Sequence, residues 1–104
     1  MRVCALVTDL MDRSRITAAI ADVVFVRDVT ACVDAEVVVV DLARSGAEIG
    51  ALRTALPNAA IVAFGPHVDE AGAAAAEAAG ANLVLPRSRF FHDPAAAIAA
   101  AGNA

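Results

Sequence analysis

The run of four consecutive valines at 37–40, which ends in Asp41, most constrains how this chain can fold. An unbroken β-branched run has no polar side to turn toward water. It therefore predicts a central strand, 36–41, that is buried on both faces. Burial on both faces requires helices above and below the sheet, so we expect an α/β protein with a parallel sheet.

Length and charge narrow the class of protein. The chain of 104 residues predicts one domain, 1–104, able to fold without a disulfide or a structural metal. A net charge of −4 argues against general nucleic-acid binding, which needs a basic face. No apolar stretch approaches the roughly 20 residues of a membrane span, and no signal peptide is visible. We therefore expect a cytoplasmic protein with neither nucleic-acid nor membrane partners.

The two cysteines, Cys4 and Cys32, have no metal-ligand spacing. We expect them to be small buried side chains in a reducing compartment.

Strands and helical stretches alternate along the whole chain. The predicted strands are 2–7, 23–26, 36–41, 59–64 and 82–85. The predicted helical stretches are 12–20, a short one in 27–33, 47–56, 69–79 and one beginning at Pro94. Residues 43–46 and 86–94 are expected to be loops. Five such units predict a small doubly wound, flavodoxin-like sheet of strand order 2-1-3-4-5 with helices on both faces.

Several helix ends are marked by residues that favour caps. Asp28 and Asp93 are expected N-caps, with Pro94 at the first position of the last helix. Gly80 is expected to end the fourth helix.

The predicted strand order brings polar groups together at one edge of the sheet. Strands one and three become neighbours, so Thr8, Asp9 and Asp41 face a common crevice at their carboxyl ends. Open α/β sheets bind ligands at such a position. His67 follows strand four near the same crevice, either as a solvated loop residue or with a functional role.

Asp9 after strand one, Asp41 at the tip of strand three and Gly80-Ala81 before strand five resemble the receiver domain of two-component response regulators. The resemblance covers nearly the whole chain and implies a CheY-like fold. It also implies phosphoryl transfer from a histidine kinase to an aspartate, with Mg²⁺ held by carboxylates and a cation beside the phosphoryl oxygens. On this basis Asp41 is the candidate phosphoacceptor, Asp9 and Asp41 are candidate Mg²⁺ ligands, and Arg87 replaces the family's lysine.

Other positions depart from the family pattern. Thr8 stands where the first acid of a pair is expected, Gly65 replaces a hydroxyl residue, and Val84 replaces an aromatic switch residue. The first change removes an anionic anchor for Mg²⁺. The other two remove the relay that converts phosphorylation into a changed surface. The resemblance therefore implies a degenerate, pseudo-receiver module whose output is a binding face.

Structural roles compete with these functional ones. Asp41 is also compatible with capping the end of a buried strand, and Asp9 with an N-cap of the first helix. Arg87 is also compatible with a fixed salt bridge to Asp41 or Asp9 that replaces both metal and phosphate.

The segment 86–94 combines two arginines with two adjacent phenylalanines. Adjacent rings on an extended backbone diverge, so one ring is expected to cover the core and the other to face outward. Arg87, Arg89 and either Phe90 or Phe91 are therefore expected to contact a protein partner or a second copy. In receiver domains, the face from strand four to helix five commonly binds partners.

Three functions remain open. The first is a stand-alone receiver-like interaction module, the second a genuine phosphoacceptor at Asp41, and the third a small flavodoxin-like ligand-binding domain. Residues 8–12 contain no glycine, so a phosphate-binding loop is weakly supported. No Ser-His-Asp or Cys-His arrangement can be placed at the strand ends, so we do not expect an enzyme.

Overall fold

A five-stranded parallel sheet forms the centre of the computed structural model, which describes residues 1–66 and 70–102. The strands are β1 (Val3–Leu6), β2 (Val24–Phe25), β3 (Val37–Asp41), β4 (Ala60–Gly65) and β5 (Leu83–Pro86). The helices are α1 (Leu10–Ala19), α2 (Leu42–Ser45), α3 (Ile49–Ala55), α4 (Glu70–Ala79), α5 (Arg87–His92) and α6 (Pro94–Gly102). Short 3₁₀ helices lie at Val29–Ala31 and Gly46–Glu48. The strand order is β2-β1-β3-β4-β5, which confirms the predicted doubly wound topology.

The valines of β3 divide between two separate cores. Val38 and Val40 pack in one hydrophobic cluster with the inner side chains of α3, and Val37 and Val39 pack in the other with those of α1 and α6. None of the four side chains is more than 1% exposed. At about 1.5–3 kcal/mol for each fully buried side chain, this strand is a major source of stability. The predicted two-sided burial is confirmed.

Two segments that were expected to be loops are helical. Residues 43–46 lie largely in α2, which begins because the Asp41 carboxylate accepts the N–H of Ala43 at 3.1 Å. Most of 86–94 is α5, a six-residue helix that packs Phe90 into the core. Both predictions of a loop were wrong because helices this short show too few turns for a hydrophobic period.

The predicted caps have mixed outcomes. Asp93 accepts the N–H of Ala96 at 3.0 Å, and α6 begins at Pro94 as expected. Asp28 lies at the N-cap of the first 3₁₀ helix, but its carboxylate accepts the hydroxyl of Thr30 and no backbone N–H. The predicted start of the fourth helix at Asp69 lies outside the described residues. Within the described ranges, no helix combines the length and apolar character of a membrane span.

Gly80 ends α4 with a φ of +129°, a conformation that favours glycine. The Arg53 side chain lies against it and donates to the Gly80 carbonyl, to the Ala59 carbonyl and to the Asn82 side chain. This arginine joins α3 to the turns before β4 and β5. A Cβ atom at position 80 would lie 2.7 Å from the Arg53 Cβ.

We therefore expect Gly80→Ala to lower the free energy of unfolding by about 1–3 kcal/mol, because φ and space both exclude a side chain. Gly50→Ala is the matched control, since a Cβ at this helical position meets nothing within 4 Å. It should raise stability by about 0.5–1 kcal/mol. Urea titration of both variants measures the difference. Equal effects would contradict the claim that φ and the contact with Arg53 require glycine at position 80.

Candidate functional site

Asp9 lies at the carboxyl edge of the sheet and caps α1. Its carboxylate accepts the N–H of Asp12 at 3.0 Å, and its side chain is exposed. The hydrogen bond from Asp12 lowers the pKa of Asp9, with smaller contributions from the positive charges of Arg44 and Arg87. The N-cap interpretation of Asp9 is therefore confirmed.

Asp41 ends β3 and is only 4% exposed. One of its carboxylate oxygens accepts the N–H of Ala43, so the residue caps α2 while it closes the strand. In the sheet it lies beside Phe64 of β4. Asp41 therefore has a structural role as the N-cap of α2, and its candidate role as a phosphoacceptor stays a prediction.

Arg87, the first residue of α5, forms a two-pronged salt bridge with Asp12. The guanidinium nitrogens donate to the two Asp12 oxygens at 3.0 and 2.6 Å. Asp12 is almost fully buried, whereas about a third of the Arg87 side chain remains exposed. The hydrogen bonds to Asp12 raise the pKa of Arg87, and the charges of Asp12, Asp41 and Asp9 act in the same direction. The expected salt bridge therefore exists, but its carboxylate belongs to Asp12 and not to Asp41 or Asp9.

Sequence reasoning missed Asp12 because it was assigned only to the start of a helix. One signal was available. Asp12 lies one turn before Ile16, and the two are the buried residues of α1. A charged residue in the inward stripe of a helix requires a charged partner elsewhere in the fold, because an unpaired buried carboxylate is costly.

A cluster of three aromatic rings lies beside the guanidinium, and two of the rings contact it. Phe64, Phe90 and Phe91 lie with ring centroids 5.0 Å apart in each pair. The Arg87 guanidinium carbon is 5.3 Å from the Phe64 ring centre and 5.1 Å from that of Phe91. These are cation–π distances, so the rings of Phe64 and Phe91 help to hold the guanidinium in place.

This cluster corrects part of the predicted partner surface. Phe90 is fully buried, so it cannot contact a partner, and Phe91 is half-buried between the other two rings and Arg15. Both rings turn inward because the segment is helical and not extended. Arg87 is occupied by Asp12. Arg89 is the one member of the predicted surface that is exposed.

The positions that depart from the receiver pattern lie as follows. Thr8 is exposed between β1 and α1. Gly65 ends β4 beside Pro86, the residue before Arg87, and Val84 packs half-buried against the core. His67 lies outside the described residues.

The carboxylates of the candidate Mg²⁺ site have partners within the chain. Asp9 and Asp41 each use one carboxylate oxygen as a helix cap, and both oxygens of Asp12 bind Arg87. Among residues 1–66 and 70–102, no three His, Cys, Asp or Glu side chains form a group that could hold a metal. The arginine places a positive charge close enough to Asp9, Asp12 and Asp41 for all three to raise its pKa.

No protein-family model matches the chain, and no curated protein is significantly similar in sequence. Solved structures do match. A response regulator from Thermotoga maritima matches with a TM-score of 0.83 at 13% identity over 99% of this chain and 98% of its own. A response regulator receiver domain protein from Clostridium thermocellum gives 0.78 at 18% identity, covering 98% and 94%.

The chain has the receiver fold of response regulators. A third match is a response regulator from Burkholderia pseudomallei, with a TM-score of 0.79, 17% identity and coverage of 94% of this chain and 66% of its own. That structure contains a phosphorylated aspartic acid and a calcium ion. At this level of identity the likeness to receiver domains is one of fold, and the chemistry has to be argued from the residues of this chain.

We expect Arg87→Ala to lower the free energy of unfolding by about 2–3 kcal/mol, because it leaves the buried Asp12 carboxylate unpaired. Arg87→Lys should recover only part of this loss, since an ammonium cannot bind both oxygens in the same fork. Arg89→Ala, on the exposed side of the same helix, should change stability by less than about 0.5 kcal/mol. Chemical denaturation distinguishes the three, and an unaffected Arg87→Ala would show that Asp12 is solvated in the folded state.

The lowered pKa of Asp9 also predicts a pH dependence. Its folded-state pKa lies below the ordinary value of 3.8, so its contribution to stability is complete above that pH and is lost as the pH falls through the folded pKa. Asp9→Asn keeps a capping oxygen that does not titrate. The stability difference between the parent and this variant should therefore shrink below about pH 4. Denaturation series from about pH 6 to 3 measure the difference in free energy of unfolding between the two proteins. A difference that does not change with pH would contradict this prediction.

Proposed function

We propose that the chain is a receiver-like signalling module that acts by binding a protein partner and does not use a phosphoryl group on Asp41. The salt bridge between Arg87 and Asp12 is the observation that supports this most strongly. It supplies a fixed positive charge among three carboxylates, Asp9, Asp12 and Asp41. The site is therefore partly neutralised without an ion.

Phosphorylation of Asp41 would meet two obstacles. The carboxylate is almost fully buried, and one of its oxygens caps α2. If Arg87 moved to contact a phosphoryl group, it would leave Asp12 buried without a partner, at a cost of several kcal/mol. A lysine would be easier to redirect because it binds as a point charge.

The residues that would transmit phosphorylation also differ from the receiver pattern. Gly65 offers no hydroxyl to a phosphoryl group, and Val84 offers no ring that can change position. Val84 instead packs against the core. These features favour a surface with one conformation.

The proposed binding face lies along β5, α5 and α6. β5 is an edge strand, and beside it is a groove of about 570 Å³. Leu83 and Leu85 are among its apolar lining residues, and Arg89, His92 and Asp93 contribute polar groups. An apolar lining together with an arginine is typical of protein interfaces.

A phosphodonor experiment tests the proposal. The chain is incubated with acetyl phosphate and Mg²⁺, and its intact mass is measured. We expect no mass gain. A gain of one phosphoryl group that disappears in Asp41→Asn would contradict the proposal and support the alternative, a genuine phosphoacceptor.

A matched variant shows whether the fold could accept the chemistry. Thr8→Asp with Arg87→Lys restores the acid pair and the ammonium of the receiver pattern. In this background we expect Mg²⁺ binding to become stronger by roughly tenfold, because an added carboxylate at a Mg²⁺ site provides a strong oxygen ligand. Calorimetric titration of both proteins with Mg²⁺ measures the difference. Equally tight binding by the parent would show that Arg87 does not displace the ion.

The binding face is tested by reversing one charge. Arg89→Glu should weaken self-association, or capture of a partner, by roughly tenfold or more if Arg89 anchors the interface. Arg27→Glu is the control, because it makes the same charge change at an exposed position beside β2, on the opposite edge of the sheet. Sedimentation at several concentrations compares the two. Identical association in both variants would remove Arg89 from the interface.

A further inference from the structure

The fold brings the two cysteines into contact. Cys4 is on β1, Cys32 follows the first 3₁₀ helix, and their sulfur atoms are 3.1 Å apart. Both are free thiols and both are buried. A disulfide bond is about 2.05 Å long, so closure would require the sulfurs to approach by only about 1 Å.

Cys4 borders a small cavity at the edge of the sheet. A cavity of about 120 Å³ lies beside β2, and it is lined by Cys4, Val24, Ala31 and Val33 among others. Since a water molecule takes up about 30 Å³, the cavity admits a molecule of the size of hydrogen peroxide. Cys32 does not line it. The cavity offers a small oxidant a route to Cys4.

We propose that Cys4 and Cys32 form a modification site at which a peroxide produces an intramolecular disulfide. In the first step the Cys4 sulfur, as its thiolate, attacks one peroxide oxygen. An S–O bond forms, the O–O bond breaks, and hydroxide leaves to become water with the proton that Cys4 released.

In the second step the Cys32 sulfur attacks the sulfenic sulfur of Cys4. An S–S bond forms, the S–O bond breaks, and the departing hydroxide takes the proton of Cys32 to become a second water. One peroxide is reduced by two electrons to two waters, and two thiols are oxidised to one disulfide. Burial, with the contact to Cys4, raises the pKa of Cys32 to about 12, so Cys32 stays protonated and is a poor nucleophile toward peroxide. It can react in the second step because the sulfenic sulfur of Cys4 lies in contact with it and the departing hydroxide takes its proton.

The disulfide would link the segment after β2 covalently to the sheet. The 3₁₀ helix Val29–Ala31 has no buried residue of its own, and Cys32 directly after it belongs to the core cluster that includes Cys4. A bond between residues 4 and 32 would also restrict the unfolded chain. Neither cysteine belongs to the carboxylate site, so this proposal is independent of the proposed function.

The test uses the full chain treated with hydrogen peroxide for several hours. The protein is then denatured, alkylated and weighed. We expect the loss of two hydrogens, no alkylated cysteine, recovery of both thiols with dithiothreitol, and a peptide map that joins residues 4 and 32. The melting temperature should rise by on the order of 10 °C. Two alkylated thiols, a disulfide between chains, or sulfinic acid without a disulfide would each overturn the proposal.

Single variants test the order of the steps. In Cys32→Ala, Cys4 should form a sulfenic acid that dimedone labels, with no rise in melting temperature. In Cys4→Ala, Cys32 should stay unlabelled under the same treatment. Labelling of Cys32 equal to that of Cys4 would overturn the proposed order. If either variant fails to fold, the peptide map of the oxidised parent protein still decides whether the bond forms.

Discussion

The burial of β3 on both faces is the constraint on which the rest of the structure depends. Its valines divide alternately between two cores, so neither layer of helices can be absent without exposing half of the strand. The same constraint places β3 between β1 and β4. The carboxyl end of β3 therefore lies at the middle of the sheet edge. Asp41 is placed there by the packing of β3 alone, whatever its chemical role.

The site next to Asp41 is organised by a buried charge that needs a partner. Asp12 faces inward from α1, and Arg87 reaches it across the edge of the sheet from α5. The guanidinium also covers the rings of Phe64 and Phe91. Because α5 is helical, Arg87 can bind Asp12 while Phe90 and Phe91 pack against Phe64. The conformation of this segment therefore decides the electrostatics of the site, because it sets where the Arg87 charge lies.

Much of the architecture could be predicted from local patterns, because the valine run, the capping aspartate Asp93 and the turn glycine Gly80 each express their preference within a few residues. The predictions failed where short segments depend on distant contacts. α2 and α5 have fewer than two turns each, and such helices are stable only through packing and caps. The pairing of Asp12 with Arg87 joins positions 75 residues apart, which no spacing rule relates.

The sequence by itself determined the alternation of strands and helices and the layers they form, because the hydrophobic period acts locally and repeats along the chain. It favoured the strand order through the handedness of crossovers, and the structure established that order and with it the edge at which the acids gather. The sequence also determined that both cysteines would be buried. Only the tertiary structure decided which carboxylate Arg87 would bind, which phenylalanine would be covered, and that Cys4 and Cys32 would lie in contact. Those outcomes depend on side chains that meet across the fold, where distance along the chain carries no information about distance in space.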